Sequence, residues 1–113
     1  MHEVGLVAEL VDAAVARAAG QPVTLVRVRH ATTFPEDVLR QAFEMLAEGG
    51  PLAAAELVVE PFDVRLACRC GFSGALEHDD VVGPGSVICP RCSELRTVAR
   101  EAELELLEVR LAP

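Results

Sequence analysis

Positive charge is scarce in this sequence. Ten lysines and arginines stand against 18 aspartates and glutamates, a formal net charge of −8 with a pI near 4.8. The chain therefore lacks the basic excess that neutralises a phosphate backbone, and a nucleic-acid partner is excluded. Long apolar runs are missing too. No stretch approaches the roughly 18 residues of a membrane span, and the start has no basic segment followed by a leader-like apolar stretch. The expected setting is cytoplasmic, with no membrane partner. Tryptophan and tyrosine are absent, so the absorption bands of a bound metal would stand on little protein background. Cysteine occurs only four times, in two close pairs; in a cytoplasmic protein such pairs point to metal ligation and not to disulfides.

What remains is ample for folding. Of 113 residues, 51% are hydrophobic and 25% charged, which suits one domain, or one domain with a small appended module. From Val4 to Ala19 the apolar residues Val4, Val7, Leu10, Val11, Ala14, Val15 and Ala18 recur at helical spacing, with Gly20 and Pro22 as a stop. Val23 to His30 alternates as a half-buried strand, with Val26, Val28 and His30 on one face. His30 is open to two readings, a metal ligand or a hydrogen-bonded histidine at a strand end; with no other ligand type beside it in sequence, the second is preferred. Thr33-Phe34-Pro35-Glu36 has the form of a capping box opening a second helix, with Val38, Leu39, Ala42, Phe43 and Leu46 as its apolar stripe and Gly49-Gly50-Pro51 as its end. Ala54 to Glu60 alternates as a second strand closed by Pro61. Glu103 to Leu111 reads either as a strand with a β-bulge, because its alternation changes phase at Leu107, or as a helix through Leu104, Leu107 and Leu111. The fold class expected is α+β: a small sheet of about three strands packed with two helices.

Between these parts, from Phe62 to about Arg100, the character changes to Gly, Pro, Ser and Asp turn formers with all four cysteines. Cys89-Pro90-Arg91-Cys92 is a zinc-knuckle half, because two intervening residues let both thiolates reach one ion at about 2.3 Å. Cys68-Arg69-Cys70 has one intervening residue and demands a tighter turn, for which Gly71 supplies backbone freedom. The 18 residues between Cys70 and Cys89 allow one closed four-thiolate site, which leaves no open position for catalysis. A thiol redox pair is the rival reading, and His78 in the intervening loop is either a substitute ligand or, as preferred, a solvated loop tip. At the other end Met1-His2-Glu3 places a terminal amine, backbone amides and an imidazole within one short reach, a nitrogen set suited to Ni(II) or Cu(II) if the amides deprotonate. Placement directly before a packed helix favours a site there over a frayed terminus.

Taken together, these parts resemble the HypA/HybF nickel metallochaperones of nickel-iron hydrogenase maturation. The likeness rests on Met-His-Glu running into a helix, a Val26-Arg27-Val28 strand, a helix reading Pro35-Glu36-x-Val38-Leu39-Arg40-x-Ala42-Phe43-Glu44-x-Leu46, Ala-Glu-Leu-Val at 55 to 58, a cysteine insert ending Cys-Pro-x-Cys, and Glu-Leu-x-Leu-Leu-Glu-Val at 103 to 109. It implies that the last element is a strand. It further implies Ni(II) on the His2 imidazole and N-terminal backbone nitrogens including that of Glu3, structural Zn(II) on Cys68, Cys70, Cys89 and Cys92, and no enzymatic activity. The partners implied are a nickel-handling GTPase and the hydrogenase large subunit, with urease as a possible second client. The chain departs from the family pattern at the shortened first pair, at a longer loop between the pairs, at Ser93 where glycine is usual, and at Glu101.

The resulting expectation is a nickel-binding α+β domain of residues 1–62 and 101–113, with residues 63–100 inserted as a zinc-ribbon-like module, in a monomer or weak dimer. A zinc-ribbon interaction module without nickel function, and a thiol redox protein, are the competing readings.

Overall fold

The structure, a computed structural model, describes residues 2–83, 85–98 and 103–113, and of His2 the backbone alone. Helix α1 spans His2–Ala18, strand β1 Val23–Ala31, helix α2 Glu36–Ala47 and strand β2 Glu56–Phe62. There follow the short strands β3 Arg65–Ala67, β4 Ser73–Ala75, β5 Val81–Gly83, β6 Ser86–Ile88 and β7 Leu95–Thr97, and the chain returns as β8, Leu104–Leu111. The mixed α+β class is as expected.

Strand β1 is the centre of a three-stranded sheet of order β2-β1-β8. It runs parallel to β2, as the helical crossover through α2 permits, and antiparallel to β8. One face of this sheet, with Val26, Val28, Leu57, Val59, Leu104, Leu106 and Val109, packs against Val7, Leu10, Val11 and Ala14 of α1 and Leu39, Ala42 and Phe43 of α2. The other face is tied by charge. Arg27 Nη1 reaches Glu60 of β2 at 2.6 Å and its Nε reaches Glu108 of β8 at 3.2 Å, while the Arg29 guanidinium stacks 3.7 Å over the Phe62 ring. The Arg110 and Arg27 hydrogen bonds hold the Glu108 carboxyl below its ordinary range. Their contribution is therefore present above that range and is lost as pH falls from it through the depressed value of the folded state.

The register of β8 contains the β-bulge that the sequence phase implies. Arg27 pairs with Glu108 and Val28 with Leu106, so Leu107 is the extra residue that shifts the alternation. Several boundaries differ from expectation: α1 begins at His2 and not Val4, β1 ends at Ala31 and not His30, and β2 begins at Glu56 and not Ala54. Strand β2 continues through Pro61 to Phe62, because on an edge strand the missing proline N–H need not face a partner. The Thr33 capping box does not form: Pro35 is the N-cap of α2, with no side-chain cap. A residue preceding proline is disfavoured in the helical region, so Phe34 cannot serve as the first helical residue that a Thr33 cap requires. Thr33 is instead buried, and the Glu36 carboxylate pairs with Arg40 one turn on.

A second, separate core lies in the cysteine-bearing segment and consists of Leu66, Cys68, Leu76, Val87 and Cys89. The molecule extends over 53 Å with a radius of gyration of 16.0 Å, against about 13 Å for a compact chain of 100 residues. Two small cores lying apart account for the excess. The expected segment boundary between residues 100 and 101, and the departure at Glu101, lie outside the described residues.

Candidate metal centre

Two turns build the centre. The β3–β4 hairpin closes through Cys68-Arg69-Cys70-Gly71, where the Cys68 amide donates to the Phe72 carbonyl (2.8 Å) and the Gly71 amide to the Cys68 carbonyl (3.0 Å). The β6–β7 turn repeats the scheme one residue longer: the Cys89 amide donates to the Glu94 carbonyl (3.0 Å) and the Ser93 amide to the Cys89 carbonyl (2.9 Å). Each turn exits through a left-handed residue, Gly71 at φ 102° and Ser93 at φ 65°. Glycine is at home there and serine is not, a strain of about 1–2 kcal/mol. Ser93→Gly is expected to raise the thermal midpoint of the cysteine segment, by a net amount under about 1 kcal/mol once the extra freedom of glycine in the unfolded chain is subtracted. A lowered midpoint would mean that the serine side chain contributes more than its backbone costs.

The turns bring all four sulfurs within 4.8 Å of one another, with Cys68 and Cys92 3.7 Å apart and Cys70 and Cys89 also 3.7 Å apart. A tetrahedron with metal–sulfur bonds of about 2.3 Å has edges of about 3.8 Å, which the two 3.7 Å pairs match. A disulfide needs about 2.05 Å and does not describe these pairs. Cys89 is fully buried and Cys70 exposed.

The electrostatics also suit a cation. The Cys70 amide and then the Arg96 guanidinium, whose Nε lies 3.3 Å from Cys68 Sγ, bring the Cys68 thiol down to about 6. Burial opposes ionisation at Cys89, but the amides of Cys92 and Arg91 outweigh it and its value is lowered. The Glu94 amide favours the Cys92 thiolate, yet burial and the three neighbouring sulfurs together push that thiol up to about 11. Four acids this close cannot all ionise without a cation among them. The donor set and its spacing therefore fit a metal ion, and the site is closed.

The other candidate residues lie elsewhere. The imidazole of His2 lies outside the described residues, while α1 begins at that residue. Glu3 lines a cavity of about 350 Å³ together with Thr33, Phe34, Val81 and Glu103, and His78 of the insert lines it too. His78 is half exposed and is not among the clustered ligands. His30 is buried, with Nδ1 3.0 Å from the Ala31 carbonyl, while its Nε2 has no hydrogen-bond partner among the described residues and stands 4.0 Å from Glu36. Sequence reasoning missed Arg96 and the cavity that His78 lines together with Glu3. Both depend on how separate hairpins face one another, for which no local pattern exists.

Comparison with known proteins agrees with this arrangement. A family model described as HypA, hydrogenase/urease nickel incorporation metallochaperone, matches residues 1–111. A hydrogenase maturation factor HypA of Chloroflexus aggregans is 32% identical over 95% of this chain and 96% of its own length. That of Methanosarcina mazei is 27% identical over 98% of this chain and 93% of its own. The solution structure of the Ni metallochaperone HypA from Helicobacter pylori superposes with a TM-score of 0.59, covering 96% of each chain at 19% identity, and thus shares the fold. With a family match over nearly the whole chain and a four-cysteine metal cluster in place, the chain belongs to the HypA family of nickel metallochaperones for hydrogenase and urease maturation, binding proteins and not enzymes.

Proposed function

We propose that this chain binds Ni(II) through the His2 imidazole and N-terminal backbone nitrogens including that of Glu3, and delivers it in nickel-iron hydrogenase maturation, with Zn(II) held structurally by Cys68, Cys70, Cys89 and Cys92. The nickel-binding unit is residues 1–62 with 101–113, and residues 63–100 are the inserted zinc unit. The receiving partners are a nickel-handling GTPase and the hydrogenase large subunit, with urease as a second client class.

The observation that carries the reading, beside family membership, is that α1 begins at His2. The first amides of a helix have no carbonyl one turn back to bond, so nitrogens of residues 2 and 3 are free to coordinate at no cost in helical hydrogen bonds. The partial positive charge at a helix start repels a bare cation but favours amides that have lost their protons. A site of imidazole and deprotonated amides is therefore better placed here than a site of neutral donors. It also contains no thiolate and stands at a chain end, which suits an ion that has to leave.

Native mass spectrometry of the untagged chain tests both metals. One zinc is expected as isolated, and one further nickel on titration, without displacement of zinc. Zinc with no specific nickel would favour a plain interaction module. A Cys89–Cys92 disulfide without retained zinc would favour a redox protein.

A further inference from the structure

We infer that Arg96 is a positioning residue of the four-cysteine centre, supplying from strand β7 the hydrogen bond that the shortened Cys68-Arg69-Cys70 turn cannot supply from its own backbone. The inference rests on the zinc reading above and extends it to a residue outside the ligand set.

The two turns show what is missing. At the longer turn two amides, those of Arg91 and Cys92, stand two and three residues after Cys89, before the amide four residues on, that of Ser93, closes the loop onto the Cys89 carbonyl at 2.9 Å. At the shorter turn the amide three residues on, that of Gly71, is already used to close the loop onto the Cys68 carbonyl at 3.0 Å, which leaves that of Cys70 alone at these offsets. Removing one residue from the loop thus leaves one amide fewer at the offsets from which a knuckle can donate to its first sulfur. The vacancy at Cys68 Sγ is filled by Arg96, whose Nε donates at 3.3 Å.

Arg96 is prepared for this task. It lies mid-strand in β7, paired with Val87 of β6, and Val87 is buried in the same small core as Cys68. Its Nη2 is held by Glu94 at 2.5 Å, and its side chain is only 22% exposed. A planar guanidinium fixed at one end by a carboxylate presents its remaining donors in a set direction. Four thiolates around a divalent ion carry two surplus negative charges, so a cation at the sulfur contributes charge compensation that an amide does not. Arg69 and Arg91 also stand in the two turns, but among the described residues Arg96 is the arginine with a hydrogen bond to a cysteine sulfur.

The test compares zinc affinity by chelator competition, and the thiolate-to-cobalt charge-transfer band of the Co(II)-substituted protein, in the full chain. Arg96→Ala is expected to weaken zinc about 10- to 100-fold, the range for loss of an outer-shell partner, and to shift the cobalt band. Arg96→Lys, which keeps charge and one donor, is expected to recover part of both. Inserting one glycine between Arg69 and Cys70 restores the three-residue spacing and its second amide, and is expected to recover affinity in the Arg96→Ala background while changing little in the parent. Equal affinity and an unshifted band in Arg96→Ala would overturn the inference, as would failure of the insertion to recover any affinity. If the parent chain itself holds no zinc, the zinc reading fails first and separately.

Discussion

Cys89→Ser is expected to strip the protein of zinc and to unfold the segment from Val64 to Val98 while helices α1 and α2 and the β2-β1-β8 sheet persist. Among the described residues the second core contains three buried apolar residues besides its cysteines, Leu66, Leu76 and Val87, with Val64, Phe72, Val81 and Val98 partly buried against them. Their burial falls short of the backbone ordering that such a segment requires. Metal binding at the four sulfurs adds folding free energy that this core alone does not provide. Cys89 is the most sensitive of the four positions because its sulfur is both ligand and fully buried core atom; serine would leave three thiolates and a hydroxyl in an apolar site. The first core shares none of these residues, so its helices have no reason to melt. Metal analysis and far-UV circular dichroism decide the matter, with Cys92→Ser as a second, more exposed position. Full zinc occupancy in either variant would remove the four-thiolate assignment.

Much of this architecture was legible in the chain because its strongest patterns are local. The α1 stripe, the β1 alternation and the phase change at Leu107 each describe one element against one face, and the structure places each accordingly save for Val15 of the stripe, which is exposed. The errors fell where a local signal met a neighbour's constraint. Thr33 and Glu36 have capping spacing, but the intervening Pro35 withholds Phe34 from the helix, and no periodicity reports that. Pro61 read as a stop because strands generally exclude proline; only the sheet order, which puts β2 at an edge, shows that it is tolerated. At the candidate metal centre the cysteine spacing announced that the four sulfurs would cluster. The identity of the extra donor did not follow, since Arg96 lies 28 residues from the sulfur it bonds and is placed there by the pairing of β6 with β7.

His2→Ala is expected to abolish specific nickel binding while zinc content, fold and thermal midpoint stay unchanged. The proposed ion sits on consecutive nitrogens of one chain end, so each chelate ring depends on its neighbour, and removal of the imidazole opens the last ring. The loss should exceed the about 10- to 100-fold that follows removal of an outer-shell partner. The first core, from Leu6 and Val7 onward, lies beyond the substituted position, and the four sulfurs are built by other elements. Extending the chain with a residual tag removes the terminal amine and should weaken nickel strongly in the otherwise native protein, whereas a tag at Pro113 should not. The pH dependence has a definite sign. Protons compete for the imidazole around ~6.5 and for the amides at every accessible pH, so affinity should fall as pH drops through that range and recover as it rises. Because the chain lacks tryptophan and tyrosine, ligand-field and charge-transfer bands of the bound ion can be followed directly during the titration. Identical affinity and spectrum in the untagged parent and in His2→Ala would move the nickel site away from the N-terminus, and the cavity shared by Glu3 and His78 would be the next place to look.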